Sequence, residues 1–255
     1  MKHIALRLAA TLLLAAFAQP GAAADAAALA EAMQQARYSD GFTVRMNIAS
    51  IQPNGRRAMP FKLAVIGQID AKRQRLLIKG ISPDMVRNRF VVAERNADGR
   101  IRAIGYTEPS AADIGKVDPT APLFDSGLVL WDMLAPWWEW PRQNMGETEQ
   151  IAGRSCTLVR SQTDENFSPI REVISCVDEK ARLSLRTQLF DRRHTLIRTI
   201  SVKQTMRKDS GALAAKKLTI TDHAVTEVEV YSGDEHYQVT ADTFAQFDAY
   251  RAAEK

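Results

Sequence analysis

The chain has 255 residues, 45% of them hydrophobic and 25% charged, with a formal charge of +4. This is ordinary globular composition, long enough for one large domain or two small ones. The small charge, with no Lys/Arg run interleaved with aromatic residues, argues against a nucleic-acid partner.

Residues 1–24 read as a cleaved export signal. Lys2, His3 and Arg7 form a basic start, Leu8–Phe17 an apolar stretch, and Ala22-Ala23-Ala24 the small residues that cleavage needs. The rest, 25–255, reads as one domain, periplasmic in the simplest case. Without Lys2 and Arg7 its charge would be +2. No later segment offers the ~20 apolar residues that cross a bilayer.

Asp25–Tyr38 is Ala-rich and spaced as a helix, capped by Asp25 and ended by Ser39-Asp40-Gly41, with Gly41 suited to a left-handed turn. Alternating strands follow: Phe42–Ile51, Phe61–Ile69, Arg75–Ile81, Arg89–Glu94 and Arg100–Tyr106. Asn96-Ala97-Asp98-Gly99 makes a hairpin turn between the last two. Thr107–Pro122 is polar and reads as a surface loop.

All four tryptophans fall in Leu128–Pro141. A short helical turn over Phe124–Leu134 is expected, then an extended strip, because Pro136 and Pro141 lack donors and disfavour helix before them. Trp131, Met133, Leu134, Trp137, Trp138 and Trp140 are the candidate wall or lid of an apolar site. The alternative is a plug of side chains filling the mouth of a sheet.

Two later hairpins suggest their own register. Pairing Arg154–Arg160 with Glu172–Val177 about Asn166 sets Cys156 opposite Cys176, Leu158 opposite Ile174 and Arg160 opposite Glu172, with Thr157–Ser175 and Val159–Val173 on the other face. The next hairpin, turning at Asp191–His194, sets Leu189 opposite Leu196, Leu185 opposite Ile200 and Leu183 opposite Val202. Leu218–Thr221 and Thr226–Tyr231 form a third. Thr240–Ala253 reads as a closing helix with Phe244, Phe247 and Tyr250 available to pack. The fold class is therefore mainly β (α+β): a single curved antiparallel sheet, an open half-barrel with helices covering the concave face. Whether the hollow is a cavity or a filled core is left open by the pattern.

Cys156 and Cys176 are the two cysteines. In an exported protein they are expected as a disulfide, from compartment and register together, with two buried thiols as the alternative. His194, His223 and His236 show no metal-ligand spacing, so no metal or cofactor is expected. No Gly-x-Ser-x-Gly elbow or phosphate-cradling loop is present. Asp222-His223 beside Ser210 or Ser232, Asp164/Glu165 and Glu227/Glu229 have simpler readings as polar turn and strand residues, so the chain reads as not an enzyme. Arg171, Arg186 and Arg198 lie on strands. Such charges normally face water; one turned inward would hold a lid shut or bind an anionic head group, at a cost unless paired.

Leu134-Ala-Pro-Trp-Trp-Glu-Trp-Pro141, followed by Gly146-Glu-Thr-Glu-Gln-Ile-Ala-Gly-Arg-Ser-Cys156 and a strand hairpin, resembles the LolA-like outer membrane lipoprotein-sorting proteins. Phe190-Asp191 leading into Leu196-Ile-Arg198, and Lys217–Asp222, fit the same family. The resemblance implies an open half-barrel and a carrier or receptor for acyl chains of lipids or lipoproteins. It also implies a lid-gating arginine, which no position of the sequence matches. A second reading is a periplasmic regulatory or accessory protein that binds a membrane protein partner through an exposed aromatic strip.

Overall fold

The computed structural model describes residues 20–52, 54–96, 99–108, 114–164 and 169–254. Residues 1–19 of the expected leader lie outside these, as do Ala97, Asp98, Glu165, Asn166 and part of the 107–122 loop. Helix α1 (Pro20–Gln35) leads into β1 (Ser39–Ile51), β2 (Phe61–Ile69), β3 (Arg73–Ser82), β4 (Arg89–Asn96), β5 (Ile101–Thr107) and the two-residue β6 (Gly115–Lys116). A central segment, 117–141, carries the short α2 (Leu130–Leu134). Seven strands follow: β7 (Arg142–Ile151), β8 (Arg154–Gln162), β9 (Ile170–Asp178), β10 (Leu183–Asp191), β11 (Leu196–Arg207), β12 (Leu213–Thr221) and β13 (Val225–Asp234). Helix α3 (Ala245–Ala253) comes last.

The strands form one antiparallel sheet in the order β6-β5-β4-β3-β2-β1-β13-β12-β11-β10-β9-β8-β7. Two meanders meet where β1 pairs with β13. This leaves β6 and β7 at opposite edges, so the central segment that joins them must cross the sheet. Glu139 bonds to Arg95 on β4, and β7 begins three residues later. A flat sheet would hold β4 and β7 about 48 Å apart. Three residues and two side chains reach roughly half of that, so the sheet curves into an open half-barrel.

Alternation sorts the core. Val91, Ala93 and Arg95 on β4 face the central segment, with Leu76 and Ile78 of β3 and Leu63 and Val65 of β2. Phe90 and Val92 face the other way, onto Phe244 and Phe247 beside α3. Being covered on both faces, β4 reads as a continuous apolar run. Both terminal helices were expected on the concave face. Helix α1 is there, with Ala30 and Met33 packed against the tryptophans, but α3 covers the outer face. The outward row of β3–β5 is too apolar to stay wet. Arg75 of β3 meets Glu94 at 3.3 Å, and Arg251 also reaches Glu94, tying α3 down.

Strands β6 and β7 were not expected. Edge strand β7, Arg142-Gln-Asn-Met-Gly-Glu-Thr-Glu-Gln-Ile151, is mostly exposed and too polar to show alternation. The strip after α2 is also not extended: Pro136–Glu139 is a 3-10 turn, allowed because proline at the first helical position loses no bond. Gly41 lies within β1 and has no left-handed backbone. A Cβ there would stand 2.1 Å from the Tyr237 carbonyl oxygen, so its missing side chain admits segment 235–240 against β1.

In the β8–β9 hairpin Leu158 faces Cys176 and Arg160 faces Ile174, two residues along from the expected pairing. An even shift keeps every side chain on its face. Cys156 and Cys176 therefore still bridge, diagonally, with Cα atoms 5.2 Å apart, and Arg160 still reaches Glu172 at 3.3 Å. In the β10–β11 hairpin Thr187 faces Ile200 and Leu189 faces Arg198, again a shift of two. A bulge absorbs Ile197 and leaves Leu196 exposed at the turn.

Candidate functional site

The central segment is pinned across the inner face by polar contacts at several points. The Gly127 N–H donates to Thr226 Oγ1 of β13 at 2.8 Å. Helix α2 places Asp132 against Arg198 of β11 at 2.8 Å, and Arg198 also meets Asp222 at 3.4 Å. Arg37, in the turn between α1 and β1, donates to the carbonyls of Met133 and Leu134, 2.8 Å each. These carbonyls lie at the C-terminal end of α2, where helix geometry leaves acceptors unpaired and a cation is favoured. Glu139 accepts from Arg95 at 2.7 Å and from Gln74 at 3.1 Å. Buried Gln143 donates to the carbonyls of Trp137 and Trp140 at 2.9 and 3.0 Å, and accepts from Ser161 at 2.7 Å.

Burial perturbs two of these groups. It pushes the Asp132 carboxyl up to about 6, more than Arg198 beside it pulls it down. Desolvation, helped by the neighbouring Arg95, lowers the Arg37 guanidinium to about 10.

The six residues singled out from the sequence come together in this segment. Trp131, Trp137, Trp138, Trp140 and Leu134 are buried, and Met133 is half-buried. The indoles form a tilted cluster, Trp131 to Trp137 at 5.4 Å and Trp137 to Trp138 at 6.1 Å, on Met33, Val159, Val173 and Leu189. The aromatic strip is thus not exposed: α1 covers it. Its burial removes the surface on which the accessory-protein reading depended.

A cavity of about 1250 Å³ lies elsewhere, at the end of the sheet where β1 starts and β13 stops. Phe42, Val44, Met206, Val230, Tyr231 and Val239 supply apolar wall. Arg37, Asp40, Lys208, Lys216 and Glu235 supply charge, with Lys208 and Glu235 paired at 2.7 Å. Tyr38 and Tyr231 stand exposed at its rim. None of the tryptophans lines it. Arg37 belongs to both structures, clamping α2 and bordering the cavity. A second cavity of about 260 Å³ lies under α3.

Sequence reading missed Arg37 and Arg95 and left Arg198 unassigned. Parity could have placed two of them, since Arg198 alternates with Ile200 and Val202, and Arg95 with Val91 and Ala93. Arg37 lies in a turn, where no period applies. Of the other arginines named, Arg186 pairs with Glu149 at 2.6 Å. His194 stacks on Phe190 with ring centroids 5.0 Å apart. Among the described residues no His/Cys/Asp/Glu group could hold a metal ion, and no helix is long and apolar enough to cross a membrane.

The fold is a half-barrel strapped by its own central segment, with a cavity at one end. Solved structures share it. One is a domain assigned to the outer membrane lipoprotein-sorting proteins, from Vibrio parahaemolyticus (TM-score 0.77, 13% identity, covering 88% of this chain and 98% of that one). A DUF1329 family protein from Desulfovibrio piger is similar (0.79, 13%, 89% and 98%). So is a LolA superfamily protein from Nitrosomonas europaea (0.68, 12%, 86% and 96%). At these identities the likeness is one of fold. No family model matches the sequence, and no curated protein matches it.

Proposed function

We propose that this chain is a non-catalytic periplasmic carrier that holds acyl chains of lipids or lipoproteins, in outer-membrane lipoprotein or lipid sorting. The observation that carries the reading is the apolar-walled end cavity, bordered by the arginine that clamps the strap. Its volume of about 1250 Å³ lies above the roughly 300–1,000 Å³ of ordinary small-molecule pockets, which suits a long flexible tail. Apolar burial is worth about 25 cal/mol per Å², so a tail can bind without a charged contact. The tryptophan cluster then acts as the packed body of the strap, and Met133 as its half-buried edge. Its movement would open the inner face to the cargo.

The test is displacement of a fluorescent fatty acid. The protein should bind the probe, and Val44→Trp, which puts a bulky ring on the apolar wall of the cavity, should weaken binding while the fold stays intact. A protein that binds no acyl probe, or a Val44→Trp variant that binds as well as the parent, overturns the reading. Mass spectrometry of lipid extracted from protein purified from its native compartment identifies the cargo.

A further inference from the structure

Besides His236, four basic and four acidic side chains line the end cavity, so its net charge selects no ligand. What distinguishes these groups is which of them already have partners. Arg37 is committed to the carbonyls of Met133 and Leu134. Lys208 is committed to Glu235, which also accepts from the Ser210 N–H at 3.3 Å. Arg207 is exposed and donates to the Gly211 carbonyl at 3.0 Å. Asp234 is exposed and accepts from the backbone N–H of His236 at 2.8 Å. Asp40, Asp209 and His236 are exposed, where water solvates a charge.

Lys216 of β12 is different. It is half-buried on the cavity wall, and its ammonium makes no ion pair and no hydrogen bond among the described residues. The strands on either side supply apolar wall, Met206 from β11 and Val230 from β13. The β11–β12 register steps from Gln204–Lys217 to Thr205–Ala215. Lys216 is therefore the extra residue of a bulge, a feature that re-aims a side chain. Its exposed neighbour Lys217 meets Glu229 of β13 at 3.2 Å. Of two adjacent lysines, the one in open solvent has a carboxylate and the one on the cavity wall has none.

We infer that Lys216 receives the anionic group of the cargo, a carboxylate or a phosphodiester at the end of an acyl chain. The inference rests on the carrier reading above and narrows it. While water fills the cavity the ammonium is solvated. A tail lying along Met206 and Val230 displaces that water, and an ammonium left against hydrocarbon is costly unless paired. An anion on the ligand supplies the partner. Burial of the tail drives binding, and the ion pair discriminates tails that carry an anion from tails that do not. Lysine is a flexible point charge, so it suits either oxyanion, without the planar fork geometry of arginine.

Competition against a neutral fluorescent acyl probe tests it. Three ligands with the same monounsaturated tail are compared below their micelle concentrations: oleyl alcohol, oleate and oleoyl-lysophosphatidylglycerol. The protein should bind one or both anions about tenfold tighter than the alcohol. Lys216→Met should abolish that preference, keep the affinity for oleyl alcohol and keep the parent's Tm. Lys216→Arg should retain most of the preference, and Lys217→Met all of it. The anion that loses more affinity in Lys216→Met identifies the source, a free fatty acid or a phospholipid. Equal affinity of the parent for all three ligands overturns the inference and leaves the carrier reading standing. So does a Lys216→Met variant that still prefers the anions. Binding of none of the three overturns both.

Discussion

Asp132 is a carboxylate that the fold both needs and penalises. It anchors the strap to Arg198, yet burial raises its pKa from 3.8 to about 6. The folded protein therefore holds a proton over a pH range in which the unfolded chain has released it. Stability from this group is greatest below about pH 4, falls as pH rises towards 6, and is flat above. Measured by urea unfolding, the difference between the parent and Asp132→Asn should decline by up to about 3 kcal/mol across that window. A difference independent of pH would show that the carboxyl titrates normally. Arg198 sits between two carboxylates, Asp132 and Asp222. Arg198→Met should cost about 3–5 kcal/mol by leaving buried charge uncompensated, and adding Asp132→Asn should recover part of that loss. The inward place of Arg198 was legible from its parity with Ile200 and Val202, but its partner was not, because Asp132 lies 66 residues away on another element.

At the scale of elements, α2 is a single turn that cannot stabilise itself. Its last carbonyls depend on Arg37. Arg37→Ala should cost about 1–3 kcal/mol and speed amide exchange over residues 131–135, read by hydrogen-exchange mass spectrometry. Unchanged exchange there would mean that the tryptophan packing alone holds the strap. The β8–β9 hairpin has a covalent brace as well. Cys156→Ser/Cys176→Ser should cost about 3 kcal/mol, a fall of roughly 6–12 °C in Tm. That the two sulfurs share a face was readable from alternation. Their diagonal register was not, since a shift of two residues leaves every face unchanged. The same degeneracy misplaced Leu196, and a bulge at Leu189/Phe190 has no sequence signal of its own.

At the scale of the whole molecule, the pairing of β1 with β13 decides the rest. It joins the meanders, sends the central segment across the inner face, and brings segment 235–240 beside the start of β1. Gly41 is the point of closest approach there. Gly41→Val should overpack the contact with Tyr237, cost about 1–3 kcal/mol, and weaken fatty-acid binding by deforming the cavity rim. A thermal melt and a probe titration check both effects, and an unchanged pair would place the rim elsewhere. By itself the sequence determined what is local: the positions of most strands, which side chains share a face, which cysteines could meet, and the half-barrel class. Tertiary structure decided what depends on distant partners. It set the register, made an edge strand of a polar stretch, laid α3 on the outer face, buried the indoles under α1, and put the cavity at the far end of the sheet. Alternation has a period of two residues and carries no information about which distant strand or cover each face will find.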